Sequence, residues 1–167
     1  MENRTSKKAN LEAFLEIYDF HTRFFINAIE GFSDVDSHNR LNTKANHVAW
    51  LAGSVVHERF ELANAVGIAL KQTSDALFFN HKGIQENTTY PHLDEYRKDW
   101  ATISPLLRTA FASLSEEELA GADPFDMPGG DYTLFDSITF CLDRESYCIG
   151  QIGLWRRLLD YPPVRYE

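Results

Sequence analysis

Apolar residues recur every three to four positions along almost the whole chain, the period of an amphipathic helix. Leu11, Phe14, Leu15, Tyr18, His21, Phe25, Ala28 and Ile29 form one such face over residues 7–30, and Gly31 follows as a helix-ending glycine. FSDVDSHNRLN (32–42) is polar and turn-rich and predicts a connection. A second helix is expected over about 43–65, with Gly67 near its end. Residues 71–91 lose the period, and NHKGIQENTTYP reads as a long loop. The third helix covers about 92–114, on a stripe of Leu93, Tyr96, Trp100, Ile103, Leu107, Ala110 and Leu114. Pro105 falls inside it and predicts a kink or a restart. Ser115 with Glu118 has capping-box spacing, so a short extra helix is expected near 115–120. GADPFDMPGGD (121–131) is a loop. Thr133 then caps a fourth helix to about Leu159, striped by Leu134, Ile138, Cys141, Leu142, Glu145, Cys148, Ile152 and Trp155, and stopped by Pro162 and Pro163.

No alternating strand pattern and no internal repeat is visible. Four long amphipathic helices predict an all-α four-helix bundle in a single domain, 1–167. The helices could run up-down-up-down, and the long second and third connections also permit a crossover.

Composition narrows the function. The 167 residues carry 16 basic and 25 acidic side chains, a formal charge of −9. That balance disfavours nucleic acid and anionic membrane surfaces as partners. No apolar run approaches the roughly 20 residues of a membrane helix, and no apolar stretch follows the N-terminal charges as in a signal peptide. Cys141 and Cys148, on a helix, are about 10.5 Å apart in rise. A disulfide tolerates about 7 Å between Cα atoms. Reduced thiols in a cytoplasmic protein are expected.

Gly-rich phosphate loops, GxSxG, HExxH and CxxC are missing from the sequence. None of His21, His38, His47, His57, His81 and His92 has a second histidine three or four residues on, so no single helix offers a two-histidine metal clamp. His47, beside Trp50 and Leu51, points toward the core; it is either a hydrogen-bonded core-edge histidine or a ligand completed by other helices. Glu58 shares its azimuth but lies about 16 Å farther along the axis, too far for one metal's ligand shell. Arg144 and Cys148 are spaced i, i+4, with Gln151 on the same side and Glu145 and Tyr147 flanking. Cys148 suits either a small core position or a zinc site, whereas Arg144 has no lone pair to give a cation and calls for an ion-pair partner. His21, on the buried stripe of the first helix, is a further candidate for the pocket wall.

NHVAWL in the second helix, TYPHLDEY leading into the third, and ESYCIGQIGLWRRLLDYP in the fourth resemble the DinB-like superfamily, the small bundles that include bacillithiol transferases and mycothiol-dependent maleylpyruvate isomerases. The resemblance implies a bundle, often a homodimer, with a pocket near His47. Members commonly bind a divalent metal through one histidine of the second helix and a His-x3-His pair of the fourth. Those positions fall on His47, Arg144 and Cys148, so one expected ligand is kept and two have changed type. A guanidinium beside a divalent ion, 4 Å away, opposes it by about 8 kcal/mol at an effective dielectric near 20. The implied site is therefore a degenerate triad in which Arg144 stands in for the cation, neutralised by Glu145, Glu58 or Glu61.

Three functions follow from this reading. The first is a metal-free, small-molecule-binding or catalytically retired bundle in which Arg144 grips a small anionic ligand. The second is a thiol transferase or hydrolase with zinc or nickel on a rebuilt site of His47, Cys148 and Glu145. The third is a dimeric structural or interaction protein. Arg156 and Arg157 are expected to favour the helix dipole and surface ion pairs.

Overall fold

A computed structural model describes residues 6–167. It is all-helical as expected: α1 (Lys7–Ile29), α2 (Asp34–Ser37), α3 (Val48–Ala65), α4 (Leu93–Ser113), α5 (Glu116–Leu119) and α6 (Leu134–Leu158), with 3-10 turns at Asp75–Leu77 and Phe79–His81. An isolated antiparallel bridge joins Ala122 to Thr133. Both capping boxes form, at Ser115 with Glu118 and at Thr133 with Asp136.

Four long helices make the bundle. α1 packs on α4 and α6, α3 packs on the same two, and α1 and α3 face each other across the diagonal. Lys7 Nζ reaches Thr133 Oγ1 at one end of α1, and Arg156 reaches the Ala28 carbonyl at the other, so α1 and α6 run parallel. Lys8 Nζ bonds the Ala112 carbonyl and Tyr18 the Ser104 carbonyl, so α4 opposes α1. Arg144 meets Ser54 and Glu58 while Trp155 bonds the Asn46 carbonyl, so α3 opposes α6. The topology is up-down-down-up, the crossover alternative. The long connection before α4 carries the chain back so that α3 and α4 run side by side in parallel.

Several boundaries differ from the sequence pattern. α3 starts at Val48 rather than near 43, because His47 acts as its N-cap and residues 41–45 are taken up in turns. The first connection holds the one-turn helix α2, capped by Ser33 accepting from the Asp36 amide. α4 runs unbroken through Pro105, which lies with Ala101, the residue whose carbonyl it cannot serve, on the exposed outer face of the helix. Arg156 is buried and makes no ion pair among the described residues; it donates to the carbonyls of Ala28, Glu30 and Pro162, closing the C-terminal end of α1. Arg157 donates to the Tyr161 carbonyl.

The core is aromatic, with Trp100, Tyr18, Tyr90, Tyr96, Phe25 and Phe111 fully enclosed. Gly53 lets α4 and the 71–91 connection approach α3: a Cβ there would stand 2.3 Å from Phe78 Cζ and 2.6 Å from Tyr96 Cζ. Among the described residues no helix is long and apolar enough to cross a membrane.

Candidate functional site

α3 and α6 diverge enough on one side of the bundle to leave a cavity of about 390 Å³, roofed by the 71–91 and 121–131 connections. Trp50, Ser54, His57 and Glu58 come from α3; Phe140, Cys141 and Arg144 come from α6; Phe78 and Lys82, then Phe125 and Met127, come from the two connections. A groove of about 460 Å³ lies between α1, α6 and the C-terminal segment, but its walls are mainly apolar, with His21, Arg157 and Tyr166 the titratable groups among its lining residues. The smaller cavity is where charged groups converge.

Arg144 is the centre of that convergence. Its Nη1 donates to Glu58 Oε2 at 2.9 Å and its Nη2 to Ser54 Oγ at 2.7 Å. Glu58 is thus the neutralising carboxylate among the three expected. Burial pushes the Glu58 carboxyl up to about 7, against the pull of Arg144. Burial also works against the Arg144 charge, but Glu58 outweighs it and the guanidinium holds its proton more tightly than usual. The pair is therefore an ion pair above neutrality and a guanidinium beside a neutral acid below it. The Trp50 indole N–H, also in the cavity wall, is buried without a hydrogen-bond partner among the described residues.

Glu145 belongs to a different cluster. It is fully buried in the bundle axis, taking Arg59 Nε at 2.5 Å and Nη2 at 2.9 Å, with His21 Nδ1 at 3.2 Å. Arg59 is sandwiched by Trp100 and Tyr18, 3.5 and 3.9 Å from their ring centroids, and donates to Thr22 and Ser104 hydroxyls. Burial would raise the Glu145 carboxyl, but Arg59 and His21 together hold it below the ordinary value. His21 is buried as expected, and it serves this cluster.

His47 sits at the N-terminal end of α3. Its Nδ1 accepts the Trp50 amide at 3.1 Å, so the ring caps the helix as a neutral imidazole protonated on Nε2. His38 and Tyr90 pack against it, each 5.2 Å between ring centroids. Burial, helped by the nearby His38 and Arg40, lowers its pKa to about 4.

Cys148 is buried and close enough to Arg144 to feel its charge, yet burial still carries its thiol up to about 11. Cys141 lies beside Glu58, and burial first, with that carboxylate adding to it, raises its thiol as well. Both cysteines are free. Gln151 is half-buried, and Tyr147 is exposed on the outer face of α6. Of the predicted site residues, then, Arg144 and Glu58 meet directly; His47 is drawn into the α3 cap and Glu145 into the Arg59 cluster.

Sequence reasoning missed Arg59, the partner of Glu145, and the His57–Glu61 pair. The latter had a signal: HERFE places a histidine and a carboxylate at i, i+4, and a search for paired histidines passes over it. Together with Asp75 these two form the single group of three or more His, Cys, Asp or Glu side chains, among the described residues, whose ligand atoms all lie within 4.8 Å of one another. Comparison of the chain with protein-family models, with curated proteins and with solved structures finds no match in any of the three.

Proposed function

We propose that the chain is a DinB-like bundle that binds a small acidic molecule with a flat apolar body, with Arg144 as its anchor in place of a metal ion. The observation that carries this reading is the Arg144 guanidinium fixed by Glu58 and Ser54 in the wall of a 390 Å³ cavity. A cavity of this size suits one small ligand. Trp50, Phe78, Phe125 and Phe140 offer aromatic faces to its body, and the unpartnered Trp50 N–H offers a donor. A guanidinium is the side chain best matched to a carboxylate, through two parallel N–H···O bonds. When Glu58 is protonated it yields that charge to the ligand.

Thermal shift against a panel of aromatic and aliphatic carboxylates and inorganic phosphate tests the proposal. An aromatic carboxylate should raise the melting temperature of the wild type and leave Arg144→Met unmoved. A panel that moves neither protein, or moves both alike, contradicts it. In Arg144→Met the Glu58 carboxyl is free to take a proton, so the variant is not left with a buried unpaired charge.

The same reading expects two copies of the chain to pair. Phe140, Tyr147, Leu154 and Leu158 are exposed along the outer face of α6, the first three seven residues apart, a spacing that suits helix-on-helix packing. Light scattering at micromolar concentration should give a dimer mass, and Tyr147→Glu with Leu154→Glu should give a monomer.

A further inference from the structure

We infer that His57, Glu61 and Asp75 form a site for a divalent transition-metal ion at the rim of the cavity, separate from the residues that the family resemblance assigns to a metal. His57 and Glu61 stand one turn apart on α3, and Asp75 reaches them from the first 3-10 turn of the 71–91 connection. His57 Nε2 is 3.8 Å from Glu61 Oε1 and His57 Nδ1 is 3.7 Å from Asp75 Oδ1. Those two contacts use opposite nitrogens of the ring, and an ion takes only one of them; with one ring nitrogen and one oxygen of each carboxylate the three ligand atoms lie within 4.8 Å of one another. Two ligands each about 2.1 Å from a zinc ion at the tetrahedral angle stand about 3.4 Å apart, so the carboxylate side chains must draw in by up to about 1.4 Å to close on an ion.

The histidine is what lifts this group above a chance meeting of acids. The residue is 9% exposed overall and its side chain 11%. Among the described residues Nδ1 has no hydrogen-bond partner, and it is closed off from solvent, although Asp75 faces it. Gln72 stands beside the ring, its Nε2 tied to the Gly53 carbonyl; its Oε1 makes no short hydrogen bond among the described residues, yet it is near enough to the ring to favour the protonated imidazole slightly, against the effect of burial. Burial lowers the His57 pKa, so at neutral pH the imidazole is a free base with a lone pair to give. A cation that accepts one ring nitrogen leaves the other to donate to a neighbouring oxygen, the arrangement that orients metal-bound histidines. Asp75 also has a competitor: Lys71 Nζ lies 3.6 Å from its other oxygen, but Lys71 is exposed and free to swing away.

One imidazole and two carboxylates suit zinc, manganese or iron(II) better than magnesium, which prefers an all-oxygen shell and keeps its water. Three protein ligands leave a coordination position open. His57 and Glu61 line the cavity, so that position is accessible to water or to a donor atom of a bound molecule. The inference does not depend on Arg144 or on the anion reading.

Isothermal titration with zinc sulfate, on protein purified without nickel affinity or chelator, tests the site. One zinc per chain is expected in the wild type. Asp75→Asn and Glu61→Gln, both on partly exposed residues whose loss the fold tolerates, should each weaken zinc by about tenfold or more. Arg144→Met and His47→Asn should bind as the wild type does, and magnesium should not compete. No zinc uptake, uptake unaltered in Asp75→Asn and Glu61→Gln, or uptake lost only in His47→Asn would overturn the inference.

Discussion

Arg59 and Glu145 form a two-pronged ion pair in the middle of the bundle, at 2.5 and 2.9 Å, with neither side chain in contact with bulk water. It joins α3 to α6, and Thr22 of α1 and Ser104 of α4 accept two further hydrogen bonds from the guanidinium. All four long helices therefore meet at one charge pair. Removing one partner strands a buried charge, which costs about 3–5 kcal/mol, while replacing both with apolar groups of similar volume is close to neutral. Glu145→Ala should lower the unfolding free energy in urea by that amount, and Glu145→Leu combined with Arg59→Met should restore most of it. Because the Glu145 carboxyl is held below 4.5, its ordinary value, its contribution is present above that pH and is lost as pH falls through its lower folded-state value.

His47 couples the start of α3 to pH. The neutral ring accepts the Trp50 amide through Nδ1; a protonated ring has only donors and cannot cap. With its pKa lowered from 6.5 to about 4, the folded state resists a proton that the unfolded chain accepts. Stability attributable to His47 is therefore present above pH 6.5 and is lost as pH falls from 6.5 to 4, on the order of 1–2 kcal/mol after allowance for solvent screening. His47→Asn keeps a good capping acceptor and has no such proton. Its melting temperature should match the wild type at pH 7.5 and fall less by pH 5. His47→Ala should lose about 1 kcal/mol at pH 7.5 through the missing cap, and that deficit should shrink by pH 5, where the wild type has itself given up much of the stability His47 provides.

Gly53 sets the distance between α3 and the aromatic pair Phe78 and Tyr96. A methyl group has no room there, and overpacking of this kind costs about 1–3 kcal/mol. Gly53→Ala should destabilise the fold despite the better helix propensity of alanine. Phe78 also lines the cavity, so the variant should lose ligand-induced thermal shift as well.

Helix positions, the α5 and α6 capping boxes and the buried stripes were legible because each depends on local spacing. Leu11, Leu15, Tyr18 and Phe25 repeat with the period that buries them, and Thr133 and Asp136 cap each other three residues apart. Topology was not legible, since the pattern of each helix fixes which face is buried but not which neighbour covers it. Partners of charged groups were harder still. The expected choice of carboxylate for Arg144 lay among Glu58, Glu61 and Glu145. Only the α3–α6 register decides that Glu58 takes it while Glu145, one residue from Arg144, turns about 100° away toward Arg59. His47 was placed near the core by its apolar neighbours, but its role as a cap depends on the chain's path before Val48, where no periodicity exists to read.

Glu58 makes anion binding depend on pH. With its carboxyl at about 7, ionised Glu58 competes for Arg144 above neutrality and releases it below. Binding of a carboxylate should weaken about tenfold between pH 6 and pH 8 in the wild type. Glu58→Gln removes the competing charge, so its affinity should be about tenfold higher than the wild type at pH 8 and flat across the range.

Isothermal titration of the best aromatic carboxylate into wild type and Arg144→Met at pH 6 addresses the anchor itself. A lost charge-assisted, two-pronged contact is worth about 1.5–3 kcal/mol. The account predicts one site per chain in the wild type and an affinity about 10- to 100-fold weaker in Arg144→Met. Equal affinity in the two proteins, or no aromatic acid bound by the wild type at millimolar concentration, would contradict it.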